Sequence, residues 1–134
     1  MSRAILDKQL IITVDNKVGT LAEVSGVIST SGINLIAVCA YAVDNKGFIM
    51  FVSENNKEAE KLLKEKGYEV REEEVILLNL DNKPGALQAV TQRVADAGID
   101  LTFIYGSVEQ KGKTSRIVLI SEDNKHVLAL IKTM

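Results

Sequence analysis

The sequence predicts an α+β fold in which one β-α-β-β-α-β unit is used twice, and three observations carry that expectation. Asp15-Asn16-Lys17-Val18-Gly19-Thr20-Leu21 returns 66 residues later as Asp81-Asn82-Lys83-Pro84-Gly85-Ala86-Leu87, and Gly32-Ile33-Asn34-Leu35 returns at the same offset as Gly98-Ile99-Asp100-Leu101. Nine of the 21 positions from Asp15 to Leu35 are identical to their counterparts. The match resumes at an offset of 68, where Ser53-Glu54-Asn55-Asn56-Lys57 pairs with Ser121-Glu122-Asp123-Asn124-Lys125, so the second copy carries a two-residue insertion. A repeat of this length is one folded unit used twice. The division expected from it is residues 1–72 and 73–134. A unit of this size alone is marginal, because it buries only about 60% of its unfolded surface.

Each element of the unit has a local reason. Residues 10–14 and 76–80 are short apolar runs rich in β-formers, each closed by Asp-Asn, and read as first strands. Leu21, Val24, Val27 and Ile28 then recur at helical spacing, as do Leu87, Val90, Val94 and Ala97, with Gly32 and Gly98 as stops. Thr20 and Glu23 have the spacing of an N-terminal capping box, which Ala86 and Ala89 do not repeat. Residues 35–43 and 48–53 flank Asp44-Asn45-Lys46-Gly47 as a hairpin. Residues 101–108 and 117–121 form the second hairpin, with the insertion in its tip at 109–113. Asn55 or Asn56 caps a helix that buries Ala59, Leu62 and Leu63 and ends at Gly67. Glu60 with Lys64 and Lys61 with Glu65 supply i,i+4 pairs on its solvated side. Residues 68–71 supply a fourth strand.

The order is that of a ferredoxin-like unit, an antiparallel sheet with both helices on one face. The second copy reaches only its second helix, at 127–132, and lacks a final strand. The edge of residues 75–80 therefore invites either the N-terminal extension Arg3-Ala4-Ile5-Leu6 or a second molecule, and a two-fold homodimer is the expected assembly.

Composition narrows the function. The chain of 134 residues is 46% apolar, 25% charged and 4% aromatic, with no Trp and a formal net charge of −2. A pI near 5.5 and scarce aromatics argue against nucleic-acid binding, for which a basic surface and stacking rings are needed. Tyr41, Phe48, Phe51, Phe103 and Tyr105 read instead as packing residues. No apolar run approaches the ~20 residues that cross a bilayer, and residues 1–10 do not form a secretory signal. The expected compartment is the cytoplasm. Cys39, alone on an apolar strand, offers neither a disulfide nor metal spacing. His126, the only histidine, has no nucleophile or carboxylate pair repeated beside it, so no enzyme, cofactor or metal is expected.

The remaining chemistry lies in the repeated loop. A glycine turning into a helix presents first-turn N–H groups at the positive end of the dipole, an arrangement suited to a carboxylate. Asp15 or Asp81 offers an ammonium partner, and Asn34 or Asp100 at the start of the next strand a second polar contact. The same residues also read as turn formers needed only for the bend.

These motifs, an apolar strand followed by Asp-Asn-Lys-x-Gly-x-Leu, a helix, Gly-Ile-Asn/Asp-Leu and a hairpin, strongly resemble the ACT domain. The resemblance extends twice over nearly the whole chain and is similar to free-standing tandem ACT proteins. It implies regulatory binding of a small metabolite, most often an amino acid, at interfaces between ACT units, relayed to a metabolic enzyme. Carried over, it implies that the loop backbone at 16–21 and 82–87, with Asn34 and Asp100, lines the ligand sites. Together with Asp15 and Asp81 the candidate site residues are Asp15, Asn16, Lys17, Val18, Gly19, Thr20, Leu21 and Asn34, and Asp81, Asn82, Pro84, Gly85, Ala86, Leu87 and Asp100. Pro84 lacks the N–H that Val18 retains, and Asp100 adds a charge absent from Asn34, so the two sites are expected to differ. The alternative is a ligand-free subunit that docks a partner protein by its sheet edges.

Overall fold

The computed structural model describes residues 3–108 and 112–134. The elements run β1 Arg3–Asp15, α1 Thr20–Thr30, β2 Leu35–Val43, β3 Lys46–Ser53, α2 Asn56–Glu65, β4 Glu69–Asp81, α3 Ala86–Asp96, β5 Leu101–Val108, β6 Thr114–Ser121 and α4 Asn124–Lys132. This is an α+β arrangement of antiparallel pairs and helices, read as two ferredoxin-like units. By internal packing, one compact unit is Lys8–Glu73, and the other joins Glu74–Met134 to the start of the chain. The start of the chain thus groups with the second repeat, not with the first repeat to which the expected division assigned it.

In the unit Lys8–Glu73 the strand order is β2-β3-β1-β4, with β2 outermost. Cross-strand partners fix which residues share a face. Leu10 opposes Phe51 and Ile12 opposes Ile49. These four meet Val24 and Ile28 of α1 and Ala59 and Leu63 of α2 in one buried cluster, so both helices cover that face. Asn55 caps α2 by accepting the Glu58 N–H at 3.2 Å, while Asn56 Oδ1 accepts the Ser53 N–H at 3.0 Å and its amide donates to Lys8 O. Gly67 leaves the helix with φ of 88°. The β2–β3 turn is the two residues Asp44 and Asn45, with Asp44 at φ of 55°.

The second unit repeats the plan in the order β1-β4-β6-β5. Ile76, Leu78, Leu80, Ile117 and Leu119 pack against Val90 and Val94 of α3 and Val127 and Ile131 of α4. Ala4 joins that core and Leu6 packs against it. Residues 3–7 therefore take, beside β4 in this unit, the place that β4 takes beside β1 in the other. Two strands are also longer than expected. Of the strand expected at 68–71, residues 69–71 are joined with 76–80 in one strand, β4, because Glu72-Glu73-Glu74 contains no turn former and the run finds partners. Lys8 pairs with Glu72 at 3.2 Å, Gln9 donates to Glu73 at 3.0 Å, and Asn124 donates to the Glu74 carbonyl at 3.3 Å. The hairpin tip expected at 109–113 lies largely outside the described residues.

The capping box at Thr20 and Glu23 does not form. Gly19 is the N-cap, with φ of 91° and no side chain to offer. This places Thr20 one residue too late, so its hydroxyl donates backwards to Lys17 O at 3.1 Å, and the Glu23 carboxylate accepts the Tyr68 hydroxyl instead.

Candidate functional site

The loop after β1 is held by the hairpin beside it. Asn16 N–H donates to Asn45 O at 2.8 Å, and Asp15 accepts the Lys46 ammonium at 3.0 Å. The Lys46 hydrogen bond, and then its charge, hold the Asp15 carboxyl below its ordinary range. The second loop repeats the first contact, with Asn82 N–H donating to Lys113 O at 2.8 Å. Lys46 itself is not repeated, because Asp81 faces Thr114.

Gly19 then turns the chain into α1. Thr20 N–H is taken by Lys17 O at 3.3 Å and Glu23 N–H by Gly19 O at 3.0 Å. Leu21 and Ala22, between them in the first turn, start too early to reach a helical carbonyl four residues back. They border an open cleft of about 570 Å³. Its wall is Leu21, Ala22 and Ser25 of α1, its mouth is Asp15, Asn16, Lys17 and Gly19, and its far side is Ala40, Ala42, Gly47 and Ile49 of the β2–β3 hairpin. Ala40 opposes Ile49 and Ala42 opposes Gly47, so the small residues lie on the helix side of the sheet. Apolar groups thus line the interior, and polar groups collect at the loop.

The loop's other flank borders a more polar cleft of about 410 Å³, lined among others by Lys17, Glu23, Lys46, Tyr68 and Glu69. Burial, then the hydrogen bond to Glu23, pushes the Tyr68 phenol up to about 12.

In the second unit Leu87, Ile104, Gly106 and Ile117 border a cleft of about 410 Å³ at the place equivalent to Leu21, Val38, Ala40 and Ile49. Its floor is different. A Cβ built on Gly106 would lie 2.3 Å from Ile117 Cδ1, so the isoleucine already covers the backbone there.

The structure therefore gathers Asp15, Asn16, Lys17, Gly19, Thr20 and Leu21 at one cleft. Val18 projects from the loop at full exposure and does not line it. Asn34 is not beside its own loop: it follows α1, whose 11 residues span about 16 Å, and its carbonyl accepts Glu54 N–H at 3.1 Å. Asp100 follows α3 in the same way, and Glu122 engages both its N–H and its carbonyl. Of the second loop only Leu87 lines the second cleft, while Asp81, Asn82, Pro84, Gly85 and Ala86 do not. Sequence reasoning missed Ala40, Ala42, Gly47 and Ile49. The available signal was the alternation of small residues on β2 opposite a glycine.

His126 sits exposed in the first turn of α4, where Asp123 caps the helix through the His126 N–H at 3.2 Å. Among the described residues there is no group of three or more His, Cys, Asp or Glu that could hold a metal ion. Nor is any helix among them long and apolar enough to cross a membrane.

No curated protein sequence matches the chain. Among solved structures, a Bacteroides thetaiotaomicron protein matches with a TM-score of 0.90 at 26% identity, over 97% of this chain and 89% of its own. The ligand-free regulatory subunit of aspartate kinase from Thermus thermophilus matches with a TM-score of 0.71 at 15% identity, over 97% and 95%. The corresponding subunit from Thermus flavus gives 0.65 at 15%, over 98% and 92%. At those identities the Thermus subunits are evidence of fold. The family model for the ACT domain pair matches residues 5–131. With both halves of the motif and both units accounted for, the chain belongs to the ACT domain pair family.

Proposed function

We propose that this protein is a regulatory binding subunit, without catalysis of its own, that takes a free amino acid in the cleft beside Gly19 and relays its occupancy to a metabolic enzyme. The observation that carries this reading is the cleft itself. The first-turn N–H groups of Leu21 and Ala22 border an apolar recess, with the ionised Asp15 at its mouth. A carboxylate is stabilised at a helix N-terminus, an ammonium by a nearby carboxylate, and a side chain by an apolar lining. The fold shared with aspartate kinase regulatory subunits supports the regulatory part. Homodimerisation and a cytoplasmic location belong to the same proposal. A thermal-shift screen of the proteinogenic amino acids tests it, since a ligand of the folded state raises Tm by mass action. A flat response to every amino acid at millimolar concentration removes the ligand reading.

One observation favours docking as a second reading. β2 is the outermost strand of its unit, and Val38, Tyr41 and Val43 on it are about half exposed. Such an edge accepts another strand.

A further inference from the structure

We infer that the first unit's cleft selects an amino acid with an apolar side chain over one with a charged side chain, and that Ala40 and Ala42 set this choice. The inference rests on the amino-acid reading and adds the chemical class of the ligand. With the backbone groups of a ligand at the loop, its side chain points between α1 and the β2–β3 hairpin. There it meets Leu21, Ala40, Ala42 and Ile49. Ser25 is the polar side chain on that wall, and its hydroxyl donates to Ala22 O at 3.1 Å. The charged side chains lining the cleft, Asp15 and Lys17, belong to the loop, and Asp15 is paired to Lys46. A cationic or anionic head pressed into the recess would lose water without gaining a partner. Each methylene placed there gains about a fourfold factor in affinity from removal from water.

The second unit's cleft of about 410 Å³ has a different floor, which localises the selectivity. Ala40 is replaced there by Gly106, and Ile117 lies over that glycine, filling space that Ile49 leaves open above Ala40. A large side chain brought to the floor of the first cleft should close it in the same manner.

Calorimetric titration of the full chain with alanine, norvaline, leucine, phenylalanine, lysine and aspartate tests the inference. The expected result is affinity rising about fourfold per added methylene from alanine to norvaline, with lysine and aspartate at least about tenfold weaker than leucine. Ala42→Leu should weaken leucine binding about tenfold or more, because it fills the recess. Ala40→Val repeats the test on the same exposed strand should Ala42→Leu not fold. Lysine or aspartate binding as tightly as leucine overturns the selectivity while leaving amino-acid binding intact. Binding by none of the six overturns both. Unchanged leucine affinity in both folded variants overturns the assignment to this cleft.

Discussion

Ala4→Asp is the sharpest probe of how the second unit is completed. Ala4 is 9% exposed and packs among Ile76, Leu78 and Val90 on the helix side of that unit. An aspartate there faces two outcomes, and the cheaper one sets the loss. Keeping the strand in place buries a carboxylate without a partner, at an effective cost of several kcal/mol. Peeling residues 3–7 away instead sacrifices the burial of Ala4 and of the half-buried Leu6, roughly 2–3 kcal/mol, together with edge hydrogen bonds worth about 1 kcal/mol each net. The expected destabilisation is therefore about 4–5 kcal/mol, by peeling. Hydrogen exchange by mass spectrometry separates the units. Protection should fall in peptides from 74–134 and persist in 8–73. Loss confined to 8–73, or full protection in both, would refute the assignment of residues 3–7 to the second unit's core.

Gly19→Ala and Gly85→Ala should each cost about 1–2 kcal/mol in urea unfolding, because φ is 91° and 86° and nothing lies within 4 Å of the added Cβ, leaving backbone strain as the whole effect; two silent substitutions would contradict the left-handed start of the helices. Ultraviolet titration should find the Tyr68 phenol near 12, and Glu23→Gln should lower its midpoint while leaving it above 10, since burial is the larger cause. A phenol whose folded value is raised contributes stability below its unfolded value near 10, and that contribution fades as pH climbs from about 10 through 12; a midpoint at 10 in the native protein would exclude the Tyr68–Glu23 hydrogen bond. The full chain should sediment as a dimer at micromolar concentration, and a monomer there would remove the proposed assembly.

The repeat made the ACT pattern legible because the loops are where backbone geometry constrains residue type most. Gly19 and Gly85 are required by positive φ, and Asn16 and Asn82 each tie the loop to the neighbouring hairpin through the same N–H. What stayed hidden depended on tertiary partners. Nothing local announces that residues 69–71 and 76–80 belong to one strand, since that continuity comes with Lys8, Gln9 and Asn124 engaging the Glu72–Glu74 run. The capping box failed by a single residue of helix phase, a shift set by the glycine turn. Asn34 stood close to the loop in motif order and lies a helix length away in its own unit. Ala40 and Ala42 looked like ordinary strand residues until the Ile49 and Gly47 pairing put them beneath α1.

The most direct test of the account is an amide-resolved NMR titration of the isotope-labelled full chain with leucine. Saturable shifts should concentrate at Gly19, Leu21, Ala22 and Ser25 and at Ala40 and Ala42, which are among the residues that line the first cleft. Their second-unit counterparts Leu87 and Gly106 should move less, because Ile117 closes that floor. An unchanged spectrum at millimolar leucine, or shifts that bypass the Gly19 loop, would contradict it.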